Sequence, residues 1–352
     1  MNLKTVFSKK TLLASVAFLC IQSNIIKAQD LGTAGGYLDY VGKEFNDIEE
    51  NTWDYTSSVA HGKSARKVEK RRKEVISANQ DAIKKIKKLS AFNGSSAFRD
   101  SAISFLNTNY AVLNYDYAKI IDMEEVAEQS YDLMEAYMLA QEKANEKLRN
   151  AGEMISSEYK KFAEANNIKL IESKDKVAKN LDVANKVYKH YNEVYLIFFK
   201  SYKQEAYLLD AMQKGDVNGM EQNRNALVKT STEGSAKVKE VKPYQGDASV
   251  KLACDQLLNF YKEEAEKKLK DASAFYVKKE NFEKIKTAFD AKAPASRTKA
   301  DVDQYNKAVN EYNQASNQFN GVINECNQKR SQLLDNWNKA AASFTDRHVP
   351  KK

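Results

Sequence analysis

An unbroken heptad near the C-terminus constrains the fold more than any other feature of the sequence. Its steps alternate between four and three residues over ten positions. These positions are Tyr305, Val309, Tyr312, Ser316, Phe319, Ile323, Cys326, Arg330, Leu333 and Trp337. A sustained 3.5-residue repeat predicts long helices that pack nearly parallel with a left-handed supercoil. Only 12 glycines and 3 prolines interrupt the 352 residues, so we expect helices throughout the chain.

Two segments that lie 152 positions apart share one pattern. Apolar residues recur every three or four positions on both sides of Gly94 and, again, of Gly246. This spacing predicts two amphipathic helices at each place, and the glycine suits the left-handed residue at which a helix ends. Ser95, Ser96 or Asp247 can then cap the helix that follows. We interpret each motif as a corner between helices, with a structural glycine.

Further matches on both sides of these corners predict an internal duplication. The heptad that starts at Val41 recurs 150 positions later from Tyr191, and the C-terminal heptad matches one in residues 127–159 at an offset of 178. Relative to the corners, 26 extra residues therefore fall in the second copy. Within them, Phe289 to Val302 contains Pro294 and is interpreted as the exposed tip of a lengthened hairpin.

The predicted fold is all-α, with two tandem, internally duplicated, elongated four-helix bundles after a signal peptide. The predicted parts are a signal peptide (1–28), a first bundle (29–168), a second bundle (175–345) and a basic tail (346–352). Residues 166–176 form the junction. The segment 109–126 has no glycine or proline, which leaves open where the third helix of the first bundle turns into the fourth.

The first 28 residues have the order of a secretory signal. Lysines precede a short apolar run, TLLASVAFLCI, and Ala28 stands where cleavage is expected. The run is about half of the ~20 residues that span a bilayer, so we expect export and no transmembrane span. A lipid-modified Cys20 is the alternative, although the residues before it are not the small ones that lipoprotein processing favours.

Cleavage would change the charge of the protein. Four of the 56 basic residues lie in residues 1–28, which contain no acid, so 52 basic residues face 48 acidic ones in the remaining chain. A net charge of +4 over 324 residues is nearly balanced. Specific nucleic-acid binding therefore loses its main support.

The sequence lacks the residues that most catalytic mechanisms require. The three histidines, His61, His190 and His348, have no glutamate three positions before them, which argues against a diiron bundle. Zinc motifs, a Gly-x-Ser-x-Gly nucleophile and phosphate-binding glycine loops are also absent. We expect no enzyme activity and no cofactor.

Two smaller features of the sequence each allow two interpretations. Cys254 and Cys326 are interpreted as small buried hydrophobic residues, but export would also permit a disulfide between them. His190 and Glu193 share one helix face and could grip a cation. They resemble part of the Gly-x-His-x-x-Glu motif of imelysin-like proteins, with Tyr188 in place of the glycine. A solvent-facing pair is the alternative.

The strongest charge feature lies between Lys63 and Lys88, with 11 basic and three acidic residues. The candidate anion-binding residues are Lys63, Arg66, Lys67, Lys70, Arg71, Arg72, Lys73, Lys84, Lys85, Lys87 and Lys88. They could bind an anionic polymer, or they could form a solvated face that pairs with acids such as those of residues 122–128.

The signal, the Tyr- and Lys-rich helices and the corners at Asn93-Gly94 and Gln245-Gly246 resemble a family of uncharacterised exported or surface proteins of Leptospira and Bacteroidetes. The resemblance implies a surface or periplasmic setting. We therefore expect a non-enzymatic interaction or structural module that binds a macromolecule of the cell envelope, either a protein or an anionic polysaccharide. The alternatives are an imelysin-like metal or small-ligand bundle and a module that binds anionic polymers.

Overall fold

A computed structural model describes residues 31–170 and 176–351. The predicted signal peptide lies outside the described residues, as does part of the predicted junction. Over the described ranges the chain is all-α, as the sequence predicts, and the only β-type pairing consists of two isolated bridges. The helices are α1 (Ala34–Ala60), α2 (Ala65–Ile86), α3 (Ala97–Ala111), α4 (Tyr117–Ala127), α5 (Tyr131–Ala165), α6 (Lys176–Lys214), α7 (Val217–Glu240), α8 (Ser249–Glu263), α9 (Ala272–Asp290) and α10 (Lys299–His348). Two π-helical turns, π1 (Val112–Asp116) and π2 (Glu264–Lys268), follow α3 and α8 directly.

The chain folds into two units. Within the described ranges, unit 1 comprises residues 31–170, 176–192 and 342–351, and unit 2 comprises residues 193–341. The sequence-based boundary lies earlier, between residues 168 and 175. Because α6 runs without a break from Lys176 to Lys214, no turn marks the division between the units.

In unit 1, α1 packs on α2, α2 on α3, and α3 and α4 on α5. The segment that had no predicted turn is a continuous helix, because α3, π1 and α4 follow one another directly. The chain turns only after α4, and Ser130 then caps α5 by accepting a hydrogen bond from the backbone N–H of Leu133 at 3.2 Å.

Both predicted corners are tight turns with the same geometry. The prediction that each glycine ends a helix was wrong, because the preceding helices already end at Ile86 and Glu240. The backbone has φ of +48° at Asn93 and +81° at Gly94, and of +50° at Gln245 and +87° at Gly246. Positive φ at both central residues is typical of a type I′ turn, in which glycine is preferred at the second position. Each turn is closed by a reciprocal pair of backbone hydrogen bonds of 2.9–3.1 Å.

The local structure that follows the corners also recurs at the 152-residue spacing. The π-helical turns π1 and π2 begin at Val112 and Glu264. In unit 1, Arg72 donates from Nη1 to the carbonyl oxygen of Leu113 at 2.8 Å, and in unit 2 Arg224 donates to that of Ala265 at 3.3 Å. Each arginine also bonds a glutamate three residues before it in its own helix.

The core of unit 2 lies among α6, α7, α8 and the C-terminal half of α10. Phe198 stacks on Trp337 with ring centroids 4.5 Å apart, and both side chains are almost fully buried. Cys254 and Cys326 are both buried and free, which agrees with their interpretation as small hydrophobic residues. Gly234 permits close packing of α7 on α8, because a Cβ there would lie 3.1 Å from a methyl group of Leu258.

Candidate functional site

The C-terminal heptad passes through two different environments. Its last part, from Cys326 to Trp337, is buried in unit 2. Its first six residues are only partly buried, because in residues 272–325 the chain forms a two-helix hairpin from α9 and the start of α10. We call this hairpin the arm.

An aromatic ladder holds the arm together. Its rungs are Phe275–Phe319, Phe282–Tyr312 and Phe289–Tyr305, with centroids 4.4, 4.8 and 4.5 Å apart and ring planes within 8–11° of parallel. Successive rungs lie seven residues apart on both helices, in antiparallel register. At ~1.5 Å per residue, the three rungs span about 21 Å. Such stacked pairs stabilise a helix pair beyond the area they bury.

The tip of the arm is capped by polar contacts. The Arg297 guanidinium lies over the Phe289 ring, 4.2 Å from its centroid. Thr298 and Asp301 form a reciprocal capping box at the start of α10, with hydrogen bonds of 2.9 and 3.2 Å. The predicted exposed hairpin tip is therefore an ordered turn in the structure.

Most side chains of the arm face solvent. Ala272 is the buried residue of α9, and in α10 before Cys326 the buried residues are Ala308 and Ala315. Val277 is 57% exposed. The arm thus buries little beyond its own ladder, whereas the rest of α10 contributes to the core of unit 2.

A buried ionic cluster lies at the base of the arm. Arg330 donates from Nε to Glu205, from Nη2 to Glu264 and from Nη1 to Asn327. The three charged residues are 5% exposed or less. Burial, followed by the neighbouring Glu264 carboxylate, raises the pKa of Glu205 well above its usual range, and Arg330 opposes this only in part. Although burial disfavours its charge, the two carboxylates keep the pKa of Arg330 above its usual range.

The basic helix predicted from Lys63 to Lys88 is α2, and much of its charge is paired within unit 1. Arg71 bonds Glu74 at 2.7 Å and lies 3.3 Å from Asp54, while Arg72 bonds Glu69 at 2.9 Å. Weaker or more exposed pairs involve Lys70, Lys73, Lys84 and Lys85, with Glu74, Glu69, Asp81 and Glu44 as partners. Within the described ranges, no ion pair within 4 Å is formed by Lys63, Arg66, Lys67, Lys87 or Lys88.

The structure brings only some of these candidates together. Lys63, Lys67 and Arg71 line a cleft of about 440 Å³ at the turn between α1 and α2, with His61 and Lys351. The other wall includes Asp54, Ser57, Ser58 and Asp346. Five cationic or potentially cationic side chains thus meet two carboxylates. Lys84, Lys85, Lys87 and Lys88 lie three or more turns away, at the other end of α2.

His61 ties the C-terminal tail to this cleft. Its Nδ1 lies 3.1 Å from the Asp346 carboxylate and its Nε2 lies 3.2 Å from the carbonyl oxygen of Pro350. Both partners are acceptors, so the ring makes both hydrogen bonds only when both nitrogens carry a proton. Lys351 and His61 together hold the pKa of Asp346 below its usual range.

For the imelysin-like interpretation, the described residues supply no metal ligand beyond His190 and Glu193. The His190 ring packs against Phe344, with centroids 5.5 Å apart, and Glu193 is exposed one turn later on α6. Among the residues that the structure describes, no group of three or more His, Cys, Asp or Glu side chains is placed to hold a metal ion.

The sequence did not indicate the roles of His61, Lys351 or the buried cluster. One feature of the sequence does point to the cluster. Glu205 and Arg330 are charged, yet both occupy heptad positions that are otherwise mostly apolar. No such signal joins His61 to Asp346, which lies 285 residues away.

No family model, curated protein or solved structure matches the chain. None of the helices in the described ranges is both long and apolar enough to cross a bilayer.

Proposed function

We propose that the protein is an exported, non-enzymatic helical-bundle module that binds a macromolecular partner of the cell envelope, and that the arm is its binding element. The observation that carries this proposal is the arm itself, a pair of helices joined by an aromatic ladder, with most of its side chains facing solvent. Export rests on the signal pattern of residues 1–28, and the envelope setting rests on the resemblance to exported proteins of Leptospira and Bacteroidetes.

The arm is longer than the bundle core requires. In unit 1, the helix after π1 is α4, with 11 residues, whereas the helix after π2 is α9, with 19. Ordering each added residue costs ~1–2 kcal/mol of conformational entropy, and this segment contributes little buried area to the core in return. We therefore assign the arm to recognition, which solvent-facing helices on a rigid scaffold serve well.

The experiment is site-specific photo-crosslinking in the native host. A photoreactive residue replaces Val277 on the arm or, as controls of similar exposure, Met154 in unit 1 and Leu252 on α8, which are 66% and 58% exposed. We expect one discrete crosslinked species from position 277 and none of the same mass from the controls. The proposal fails if the arm position gives no adduct, or if all three positions give the same adducts.

A second candidate function is binding of an anionic polymer at the cleft between α1 and α2. It is favoured by the convergence of Lys63, Lys67 and Lys351 beside His61. The test is salt-dependent capture on dextran sulfate beads. Lys63→Gln with Lys67→Gln should weaken capture, whereas Lys87→Gln with Lys88→Gln, which removes the same charge from the far end of α2, should not. Equal losses would indicate a nonspecific charge effect.

The imelysin-like alternative rests on His190 and Glu193 alone. Metal analysis of the purified protein tests it, and a stoichiometric metal that is lost in His190→Ala would replace the interaction proposal.

A further inference from the structure

The ionic cluster at the base of the arm contains two carboxylates and one guanidinium. Glu205 comes from α6, Glu264 is the first residue of π2 and Arg330 lies on α10. Arg330 bonds one oxygen of each carboxylate. If both carboxylates were ionised, the buried cluster would carry a net negative charge, which is costly in a low-dielectric interior.

A bound proton would supply the positive charge that the cluster lacks. Glu264 Oε2 is out of contact with solvent and accepts no hydrogen bond from the described residues. A protonated Glu205 carboxyl would donate to Glu264 and would also remove the excess charge. The environment favours this state, because burial and the facing carboxylate raise the pKa of Glu205.

The other polar groups around the cluster do not replace that proton. On α8, burial raises the pKa of Tyr261, so its hydroxyl stays neutral. On α10, burial, followed by the neighbouring Glu264 carboxylate, raises the pKa of the Cys326 thiol to about 12, so the thiol stays protonated and offers Glu264 only a weak hydrogen bond. Asn327 is neutral. From α7, Arg224 bonds the carbonyl oxygen of Ala265 and the carboxylate of Glu221, so its charge already has a partner.

The cluster joins the elements from which the arm extends. π2 leads into α9, and Arg330 follows directly on the part of α10 that belongs to the arm. π1 in unit 1 has the same form, but Val112, which is apolar, stands where π2 has Glu264. Charge at this position is therefore not required to build a π-helical turn of this kind, and π-helical turns are frequent at functional sites.

We propose that Glu205, Glu264 and Arg330 form a proton-dependent clamp at the base of the arm. One proton shared by the two carboxylates holds α6, π2 and α10 together, and its loss loosens π2 and the root of the arm. The regulatory part, in which the clamp controls binding by the arm, rests on the proposed function of the arm.

The direction of the pH effect follows from the raised pKa of Glu205. The native state holds a proton that the unfolded chain releases near pH 4.5. The contribution of the clamp to stability is therefore complete below about pH 4.5 and is lost as the pH rises through the raised native pKa. The arm root should be most rigid on the acidic side of that transition.

Hydrogen exchange tests the clamp without any partner. Protection factors, corrected for intrinsic exchange, are measured against pH for residues 264–269 in the wild type and in Glu205→Gln. The amide of Glu205→Gln donates to Glu264 as the protonated acid would, but it does not titrate. Residues 112–117 of unit 1 are the internal control.

We expect protection of residues 264–269 to fall at least tenfold with rising pH in the wild type, and to stay flat in Glu205→Gln and in the control segment. A flat wild-type profile overturns the clamp, as does an unchanged pH dependence in Glu205→Gln. The wild type and this near-isosteric variant suffice, so the test does not depend on variants that fail to fold.

Crosslinking from position 277, repeated across the same pH range, tests the regulatory part. A yield that follows the exchange transition supports it, and a constant yield overturns the regulation while the clamp stands. Absence of any crosslink contradicts the proposed function of the arm but does not affect the exchange result.

Discussion

Removal of the Arg72 side chain should destabilise unit 1 far more than removal of its neighbouring lysines. The Arg72 side chain is 13% exposed, and its guanidinium donates to the carbonyl oxygen of Leu113 in π1 at 2.8 Å. A hydrogen bond from a charged donor contributes ~1.5–3 kcal/mol, whereas the pair with the more exposed Glu69 adds at most ~0.5 kcal/mol. We expect Arg72→Ala to cost ~2–3 kcal/mol, or roughly 4–12 °C in Tm for a domain of this size.

The assay is urea denaturation followed by tryptophan fluorescence in a Trp337→Phe background, which leaves Trp53 as a reporter of unit 1. Lys70→Gln with Lys73→Gln is the control, because these lysines are exposed and their pairs are 3.8 Å long. The control should change the free energy of unfolding by less than ~0.5 kcal/mol. If Arg72→Ala costs no more than the control, the guanidinium does not stabilise π1 and our assignment of its role is wrong.

Three further predictions concern packing, turn geometry and export. Trp337→Ala should lower the free energy of unfolding by ~3–5 kcal/mol, because the indole is buried against Phe198. Phe319→Ala should lower it by about half as much, because the ladder leaves this ring partly exposed, and urea denaturation measures both changes. Gly94→Ala should cost ~1–2 kcal/mol from the left-handed backbone alone, since a Cβ there meets no atom within 4 Å, and a loss above ~4 kcal/mol would reveal a packing role instead. The exported protein should begin at Gln29 by intact mass, and a lipid-modified Cys20 would contradict this.

The helical fold could be predicted because heptad spacing and the scarcity of glycine and proline both report on local structure. The corners at Gly94 and Gly246 were also accessible, since positive φ restricts which residues fit. The continuation of α3 through π1 into α4 was not accessible. A π-helical turn changes the hydrogen bonding of a helix without requiring glycine or proline, so the sequence around Val112 has no clear mark of it.

The environment of a seam residue could not be predicted from the heptad. Phe319 and Trp337 belong to the same repeat, yet one lies on a two-helix ladder and the other in a bundle core. A heptad states which face is covered, but not how many helices cover it. For the same reason the heptad predicts that Arg330 lies on a covered face, but it does not identify the two carboxylate partners of this residue.

The candidate anion-binding residues show a similar limit. Counting charges along α2 cannot distinguish Arg72, which bonds a backbone carbonyl 41 residues away, from Lys63, which lines an open cleft. The distinction depends on tertiary contacts. Anion binding therefore stays a prediction, now centred on the turn between α1 and α2.

The central claim, that the arm is the binding element, is tested most directly by shortening it. Deletion of residues 280–314, with a short Asn-Gly turn in their place, removes the two outer rungs and keeps the Phe275–Phe319 rung and the clamp. Circular dichroism and urea denaturation establish that unit 2 remains folded, and sedimentation with envelopes of the native host then measures binding. We predict at least tenfold weaker binding for the shortened protein, and unchanged binding by a folded shortened protein would contradict the claim.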